Sequence, residues 1–219
     1  MIEGQFKPLQ KLQFEQFEDF TVGGLEISYF GAAQSSASNV TWPASIQAGD
    51  AAFLFDANRG GSLPAEVIPT GFTKITGDNG TFSRGTVSYK LCVGTETGSL
   101  TGQNGSIQNA KILIVFRGSR QINTITIGSA NAEVASGNPA SQSVTASGQV
   151  APLIVLGQAC YDSGTVTFST ASPAFDSTFG TGVQLVGYKI YNTAPANHSI
   201  DQNDGGSFNF LTSFYARFT

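Results

Sequence analysis

The chain has 219 residues and a net charge of −4, and charged residues make up 12% of it, about half the share of an average globular domain. Hydrophobic residues make up 40% and phenylalanines number 17, which excludes a disordered chain, because such chains are rich in charge and poor in aromatics. The 11 basic residues are scattered and form no positive patch for nucleic acid. A chain of this length can bury a core without disulfides or metals.

The first 22 residues differ from the rest and predict a short N-terminal arm, which Gly23-Gly24 ends. The arm lacks the basic and apolar regions of a signal peptide, and no apolar run reaches the about 20 residues that span a bilayer. We therefore expect synthesis in a cytoplasm and no membrane insertion. The arm either packs on its own domain or docks on a neighbouring subunit. Its candidate interface residues are Phe6, Leu9, Leu12, Phe14, Phe17 and Phe20.

Residues 23–219 predict a single all-β domain, because short β-rich runs alternate there with Gly- and Asn-rich turns. Large apolar residues alternate in 87–93, which predicts one buried face. They are continuous in 112–116, which predicts a central strand covered on both faces. No helix of ten residues is predicted after the arm. The predicted strands are 26–30, 51–57, 71–76, 86–93, 110–117, 122–127, 143–147, 152–160, 165–169, 184–191 and 208–218.

Two parts of this domain resemble each other. Tyr89-Lys90 recurs as Tyr188-Lys189, and each pair lies between an apolar strand and a later strand that carries an arginine, Arg117 or Arg217. We predict an antiparallel, jelly-roll-like sandwich of two similar halves whose inner faces pack about 10 Å apart. Chance similarity between two β-strands is the alternative.

Few side chains are suited to catalysis. His198 is the only histidine, and its turn-like surroundings predict a solvated loop residue. The sequence has no nucleophile elbow or phosphate-binding loop, and the 15 acidic residues are too dispersed to point to a glycosidase pair. We predict no catalytic residue, no cofactor and no metal site.

Three other features each have more than one explanation. Cys92 and Cys160 lie in apolar runs and are expected to be buried free thiols, although a bridge would form if they faced each other. The segment 201–206 has oxygen ligands at alternate positions, as in a calcium loop, but without a later carboxylate a hairpin turn is favoured. Trp42, the only tryptophan, is a candidate interface residue, with a core position or a sugar-stacking platform as alternatives.

The segment 49–118 carries an ordered series of turn and strand motifs. These motifs resemble a β-sandwich domain that recurs in virion and tail proteins of tailed bacteriophages. Phe72 and Phe116 stand where that family usually has Trp and Tyr, so the aromatic bulk is kept and a polar group is lost. The motifs are Gly49-Asp50 before an apolar strand, Pro69-Thr70-Gly71-Phe72-Thr73, Tyr89-Lys90 with Gly94-Thr95-Glu96, and an apolar strand ending in Phe116-Arg117-Gly118.

The resemblance implies a structural component of a phage particle with no enzymatic activity. We expect a decoration or accessory protein of the capsid, neck or tail, made in the host cytoplasm and displayed in symmetric copies. Its partners would be other virion subunits and copies of itself in a trimer or ring. The alternative is a receptor- or carbohydrate-binding adhesin module of the tail or fibre, with Trp42, Tyr29 and Tyr161 as candidate contacts to a host-surface glycan. A hydrolase of the host surface has the least support.

Overall fold

The computed structural model describes residues 24–59, 65–79, 83–102, 108–135, 140–160, 167–181, 183–203 and 209–219. These residues form strands joined by turns and loops, and none of them is helical. The predicted all-β class is therefore confirmed. The arm with its six candidate interface residues lies outside the described residues, as does Tyr161, so the arm boundary stays a prediction.

The first half of the chain builds an antiparallel sheet with a ribbon on its outer face. Its strands are β1 (Ile27–Ser35), β2 (Asn39–Thr41), β3 (Ala48–Arg59), β4 (Thr73–Asn79), β5 (Ser83–Val93), β6 (Ser99–Thr101) and β7 (Gln108–Gly118). The sheet has the order β1-β7-β3-β5-β4, and β2 pairs with β6 in the ribbon. Val40 and Leu100 of the ribbon cover Leu54 and Val115 of the sheet.

The second half repeats this plan. Its strands are β8 (Ile125–Ala135), β9 (Ala140–Val144), β10 (Leu153–Cys160), β11 (Thr167–Ser172), β12 (Ser177–Thr181), β13 (Gln184–Tyr191), β14 (His198–Asn203) and β15 (Asn209–Phe218). The main sheet has the order β12-β13-β10-β15-β8, and β11-β14-β9 form a small sheet. Val144 of the small sheet packs on Leu153 and Val155 of the main sheet.

The two main sheets face each other and enclose an aromatic core. The ring of Phe53 lies 6.1 Å from that of Phe214 and 6.5 Å from that of Phe218, which belong to the opposite sheet. Alternate residues of the central strands point inward to this core and outward to the covering ribbon or small sheet. This double cover explains the continuous apolar runs, and the predicted central strand at 112–116 is confirmed.

The two halves correspond strand for strand, with β11 as the only addition among the described strands. In the first half Phe53 pairs with Tyr89 and Ile114, and in the second Leu156 pairs with Tyr188 and Phe214. Equivalent strands run in the same direction, so an approximate two-fold axis lies parallel to the strands between β3 and β10. The predicted similarity of the halves is therefore seen in the topology. The jelly-roll detail is not confirmed, because each main sheet takes its strands from one half alone.

Both central strands begin at the same end of the sandwich. Ile27, at the start of β1, donates its N–H to Asn192 Oδ1 (2.7 Å) and accepts from Asn192 Nδ2 (3.0 Å), just after β13. The connection 119–124 between the halves lies here too, since the amides of residues 123 and 124 donate to the Thr219 carbonyl. We call this the arm end, because residue 24, where the arm joins, precedes β1 here.

Candidate interaction surface

The first and last motifs of the resemblance meet at the arm end. Arg117 donates from Nε to Asp50 Oδ1 (2.7 Å) and from Nη2 to Oδ2 (2.6 Å) and to the Ser45 carbonyl (2.9 Å). Its guanidinium lies 3.8 Å from the ring centroid of Phe30, within cation–π distance. The hydrogen bonds to Asp50 raise the pKa of Arg117 above its usual value. The pair joins β3 to β7, so these motif residues have a structural role.

Position 49, next to this ion pair, requires a glycine because of its backbone conformation and its close neighbours. Its φ is +86°, and a Cβ there would lie 2.5 Å from Cγ of Gln121. Between 47–50 and 117–121 the surface has a cleft of about 280 Å³. Small-molecule sites usually exceed about 300 Å³ and have apolar walls. The cleft therefore fits the closure of a chain connection better than a ligand site.

The Tyr-Lys and Gly-Thr-Glu motifs also pair with each other. Glu96 accepts hydrogen bonds from the amides of Val93 (2.9 Å) and Gly94 (2.8 Å) and lies 2.9 Å from Lys90 Nζ. Burial by itself raises the pKa of Glu96, but these bonds outweigh it and the pKa is lowered. Lys90 and Glu96 therefore form an ion pair that fixes the turn after β5.

Trp42 belongs to the core of the first half. Its side chain is 8% exposed and packs against Phe72, with 6.0 Å between ring centroids. Phe72 follows a turn closed by its own amide to the Pro69 carbonyl (3.0 Å), and Gly71 has φ +83°, as its place in the motif predicts. Trp42 therefore offers no exposed platform, and its predicted contact with a partner stays a prediction.

A buried ion pair lies between β3 and β7 that sequence reasoning missed. Lys111 is 0% exposed and bonds Asp56 Oδ1 at 2.6 Å, and Asn58 Nδ2 donates to the same oxygen at 3.1 Å. Burial lowers the pKa of Lys111, while Asp56 opposes that shift. Gly102 closes over the pair, since a Cβ there would lie 2.1 Å from Asp56 Oδ2. A lysine at the start of a doubly covered strand is the signal that could have revealed it.

The second half has an ion pair equivalent to that of Lys90 but none equivalent to that of Arg117 among the described residues. Lys189 bonds Asp176 Oδ1 at 2.5 Å, and Asp176 Oδ2 accepts the amide of Ile190 at 2.7 Å. Leu153 lies opposite Arg217, at the position that Asp50 has opposite Arg117 in the first half. Nε of Arg217 is buried and has no hydrogen-bond partner among the described residues.

His198 was wrongly predicted to be a solvated loop residue. It begins β14 and is buried, with Nε2 at 2.6 Å from the Tyr191 hydroxyl and the ring stacked on Phe175. Burial and then the charge of Lys189 lower the pKa of His198 to about 4, against the opposing charge of Asp176. The prediction failed because the pairing of β14 with β9 and β11 cannot be read from a short polar segment.

The two cysteines are free and buried, as expected. Cys92 lies in the cluster under the ribbon and Cys160 in a separate cluster at the other end of the sandwich from the arm. Burial, with the charges of Glu96 and Asp50, raises the pKa of Cys92 to about 12, and burial raises that of Cys160 as well. Both thiols are therefore protonated at neutral pH and poorly reactive.

The two most exposed large apolar side chains among the described residues lie at the arm end. Val93, after the β5 turn, is 65% exposed, and Val150, before β10, is 67% exposed. Both β5 and the segment before β10 meet this end, because Val93 pairs with Ala48 at the start of β3. Two exposed valines at the same end of the sandwich as the attachment of the arm make this end the candidate interaction surface.

An aromatic stack lies on one side of the sandwich. Tyr29 on β1 is 40% exposed and stacks on Phe179 (5.8 Å) and Tyr188 (5.7 Å), which belong to the opposite sheet. A bulge in β1 after Tyr29 turns this ring toward the stack and Phe30 toward Arg117. The stack closes the side of the core and leaves one ring partly open to solvent.

The described ranges contain no group of three or more His, Cys, Asp or Glu side chains placed to hold a metal ion. Nor do those ranges include a helix with the length and hydropathy needed to cross a membrane. Comparison with protein-family models, curated proteins and solved structures finds no match for the chain. The resemblance to phage virion domains therefore stays a prediction from the motifs of residues 49–118.

The buried ion pair predicts a large difference between two lysine variants. Lys111→Met should lower the free energy of unfolding by about 3–5 kcal/mol, because Asp56 is left buried without its cation. Adding Asp56→Asn should recover part of this loss, because the amide leaves no uncompensated charge in the interior. The control Lys74→Met breaks a part-exposed pair with Glu66 and should cost at most about 1 kcal/mol. Urea denaturation measures each value, and a loss below about 1 kcal/mol for Lys111→Met would contradict full burial.

His198 predicts a loss of stability in mild acid. Its pKa falls from 6.5 in the unfolded chain to about 4 in the fold, so the fold favours the neutral ring. Its contribution is complete above pH 6.5 and declines as the pH falls toward 4, by about 2–3 kcal/mol at pH 4.5. His198→Phe should remove this part of the decline. Urea midpoints at pH 7 and 4.5 test it, and equal pH dependence of both proteins would contradict it.

Proposed function

We propose that this protein is a structural component of a tailed-bacteriophage virion, a decoration or accessory protein of the capsid, neck or tail. It is made in the host cytoplasm and acts by packing against other virion subunits and copies of itself. The motifs of residues 49–118 supply the link to phage particles. The observation that carries the packing role is the position of Val93 and Val150 at the arm end.

The internal pairing of the motif residues supports a mechanical role. Asp50 with Arg117 and Lys90 with Glu96 hold strands and turns of the same domain together. Both faces of the central strands are covered, so the sandwich is a rigid block whose sheets need no partner. A surface with few charges suits permanent association, because protein interfaces have fewer charged residues than the rest of the surface.

Two measurements test this proposal. Mass spectrometry of purified phage particles should detect the chain, and its absence from them would contradict the proposal. Val93→Asp/Val150→Asp should lower incorporation at least about tenfold, because an unpaired carboxylate buried at an interface costs more than about 1.4 kcal/mol. Val67→Asp is the control, since Val67 is exposed next to Glu66, which bonds Lys74 of β4. Both variants should keep normal urea midpoints.

The second candidate function is a carbohydrate-binding adhesin module, and the exposed ring of Tyr29 is the observation that favours it. Aromatic faces stack on the apolar faces of sugar rings, and Tyr29 is held in place by Phe179 and Tyr188. Trp42 contributes nothing to such a platform because it is buried.

A glycan array with the isolated protein distinguishes the two functions. An adhesin should bind glycans or host cells without other virion proteins, and Tyr29→Ala should weaken that binding about tenfold, because an aromatic contact contributes about 1 kcal/mol or more. Val67→Ala, at another exposed apolar position, is the control. Binding that Tyr29→Ala leaves unchanged would exclude the aromatic stack as the sugar site.

A further inference from the structure

The buried ion pair of Asp56 and Lys111 is also bonded to an amide side chain. Asp56 Oδ1 accepts a hydrogen bond from Lys111 Nζ at 2.6 Å and another from Asn58 Nδ2 at 3.1 Å. Asp56 and Asn58 lie on one face of β3 because they are alternate residues, and Lys111 lies opposite Asp56 on β7. One carboxylate oxygen therefore holds an amine nitrogen and an amide nitrogen side by side.

The three side chains of this cluster are shielded from solvent. Lys111 is 0% exposed, Asn58 1% and Asp56 2%. Gly102, which follows β6, closes over them, because a Cβ there would lie 2.1 Å from Asp56 Oδ2 and 2.8 Å from Lys111 Cε. The amide of Gly102 is held in place by the Ser38 carbonyl at 3.0 Å. The amine, the carboxylate and the amide therefore meet in an interior from which bulk water is excluded.

The fold itself does not need polar residues at these positions. The equivalents of Asp56 and Lys111 in the second half are Ala159 and Leu211, which pair in the same way and belong to an apolar cluster. Two buried charges carry a desolvation penalty that an apolar pair avoids. The charged cluster of the first half therefore indicates a chemical role beyond holding β3 to β7.

Burial prepares Lys111 to act as a nucleophile. Burial lowers the pKa of its amine, against the opposing effect of Asp56, and only the amine without its extra proton is nucleophilic. Transfer of a proton from Nζ to Oδ1 along their hydrogen bond neutralises both groups in one step. The amide of Asn58, which is bonded to the same oxygen, then lies next to a neutral amine.

We propose that Lys111 and Asn58 form a covalent isopeptide bond within the folded chain, and that Asp56 carries the protons. Lys111 gives one proton to Asp56, and its Nζ forms a bond to Cγ of Asn58. Asp56 then protonates Nδ2 of Asn58, the bond between Cγ and Nδ2 breaks, and ammonia leaves. A second proton passes from Nζ to Asp56, so the products are a secondary amide, ammonia and an uncharged carboxyl group. The reaction consumes no co-reactant, and it goes beyond the proposed function because it takes place within one chain.

Mass spectrometry of the full wild-type chain tests this bond directly. The intact protein should weigh about 17 Da less than its sequence, because one ammonia is lost. Trypsin cuts after lysine and arginine but not after a lysine whose amine is in an amide bond. The peptide 12–59 should therefore be found joined to 91–117, with Lys111 uncut. This measurement needs no variant, so it does not depend on whether a variant folds.

Variants assign the role of each side chain. Asn58→Ala removes the acceptor, Lys111→Met removes the nucleophile and Asp56→Ala removes the proton carrier, so each should keep its full sequence mass and give separate peptides. Asn109→Ala is the matched control, because Asn109 is a part-buried amide directly opposite Asn58 on β7, and it should retain both the mass loss and the joined peptides. Urea midpoints verify that the variants fold.

Three results for the wild type would overturn the inference. The first is an intact mass equal to that of the sequence. The second is a mass loss with 12–59 and 91–111 found as separate peptides, because ring closure at an Asn-Gly pair such as Asn104-Gly105 also releases ammonia. The third is a loss of about 18 Da with the peptides joined through Asp56, which would mean that water leaves and that the carboxyl group is the acceptor.

Discussion

The packing of two aromatic inner faces is the interaction on which the rest of the structure depends. Phe53 contacts Phe214 and Phe218 across the interface between the halves, and the strands on each side keep equivalent positions around it. Because this contact fixes the two-fold arrangement, it also fixes which residues face outward. The covering ribbon, the covering small sheet and the two outward arginines follow from that alternation.

The two halves have the same strand arrangement, but the ion pair of one arginine is absent from the other half. In the first half, the arginine near the end of its strand is neutralised by Asp50. In the second half, Leu153 extends the apolar outer face and Arg217 loses its partner. The asymmetry therefore lies at the arm end.

Polar groups inside the sandwich and apolar groups outside it have different roles. Lys111 with Asp56, and His198 with Tyr191, are buried pairs that link stability to specific partners and, for the histidine, to pH. The exposed valines and the exposed ring of Tyr29 form no buried polar pair of this kind. Each of the proposed functions, virion packing and glycan recognition, uses one of these outward apolar groups.

The sequence by itself determined the all-β class, because alternation and turn chemistry are local properties. Each of the eleven predicted strands overlaps a strand of the structure, but the bounds differ, and 143–147 shares only two residues with β9. The sequence also indicated the repeated halves. It did not predict β2, β6, β12 or β14, since short polar strands exist only through pairing with distant partners. For the same reason, only the tertiary structure decided that His198 is buried, that Lys111 meets Asp56, and that Arg217 faces a leucine. Those outcomes depend on which strands become neighbours, and the spacing of residues along a chain does not contain that information.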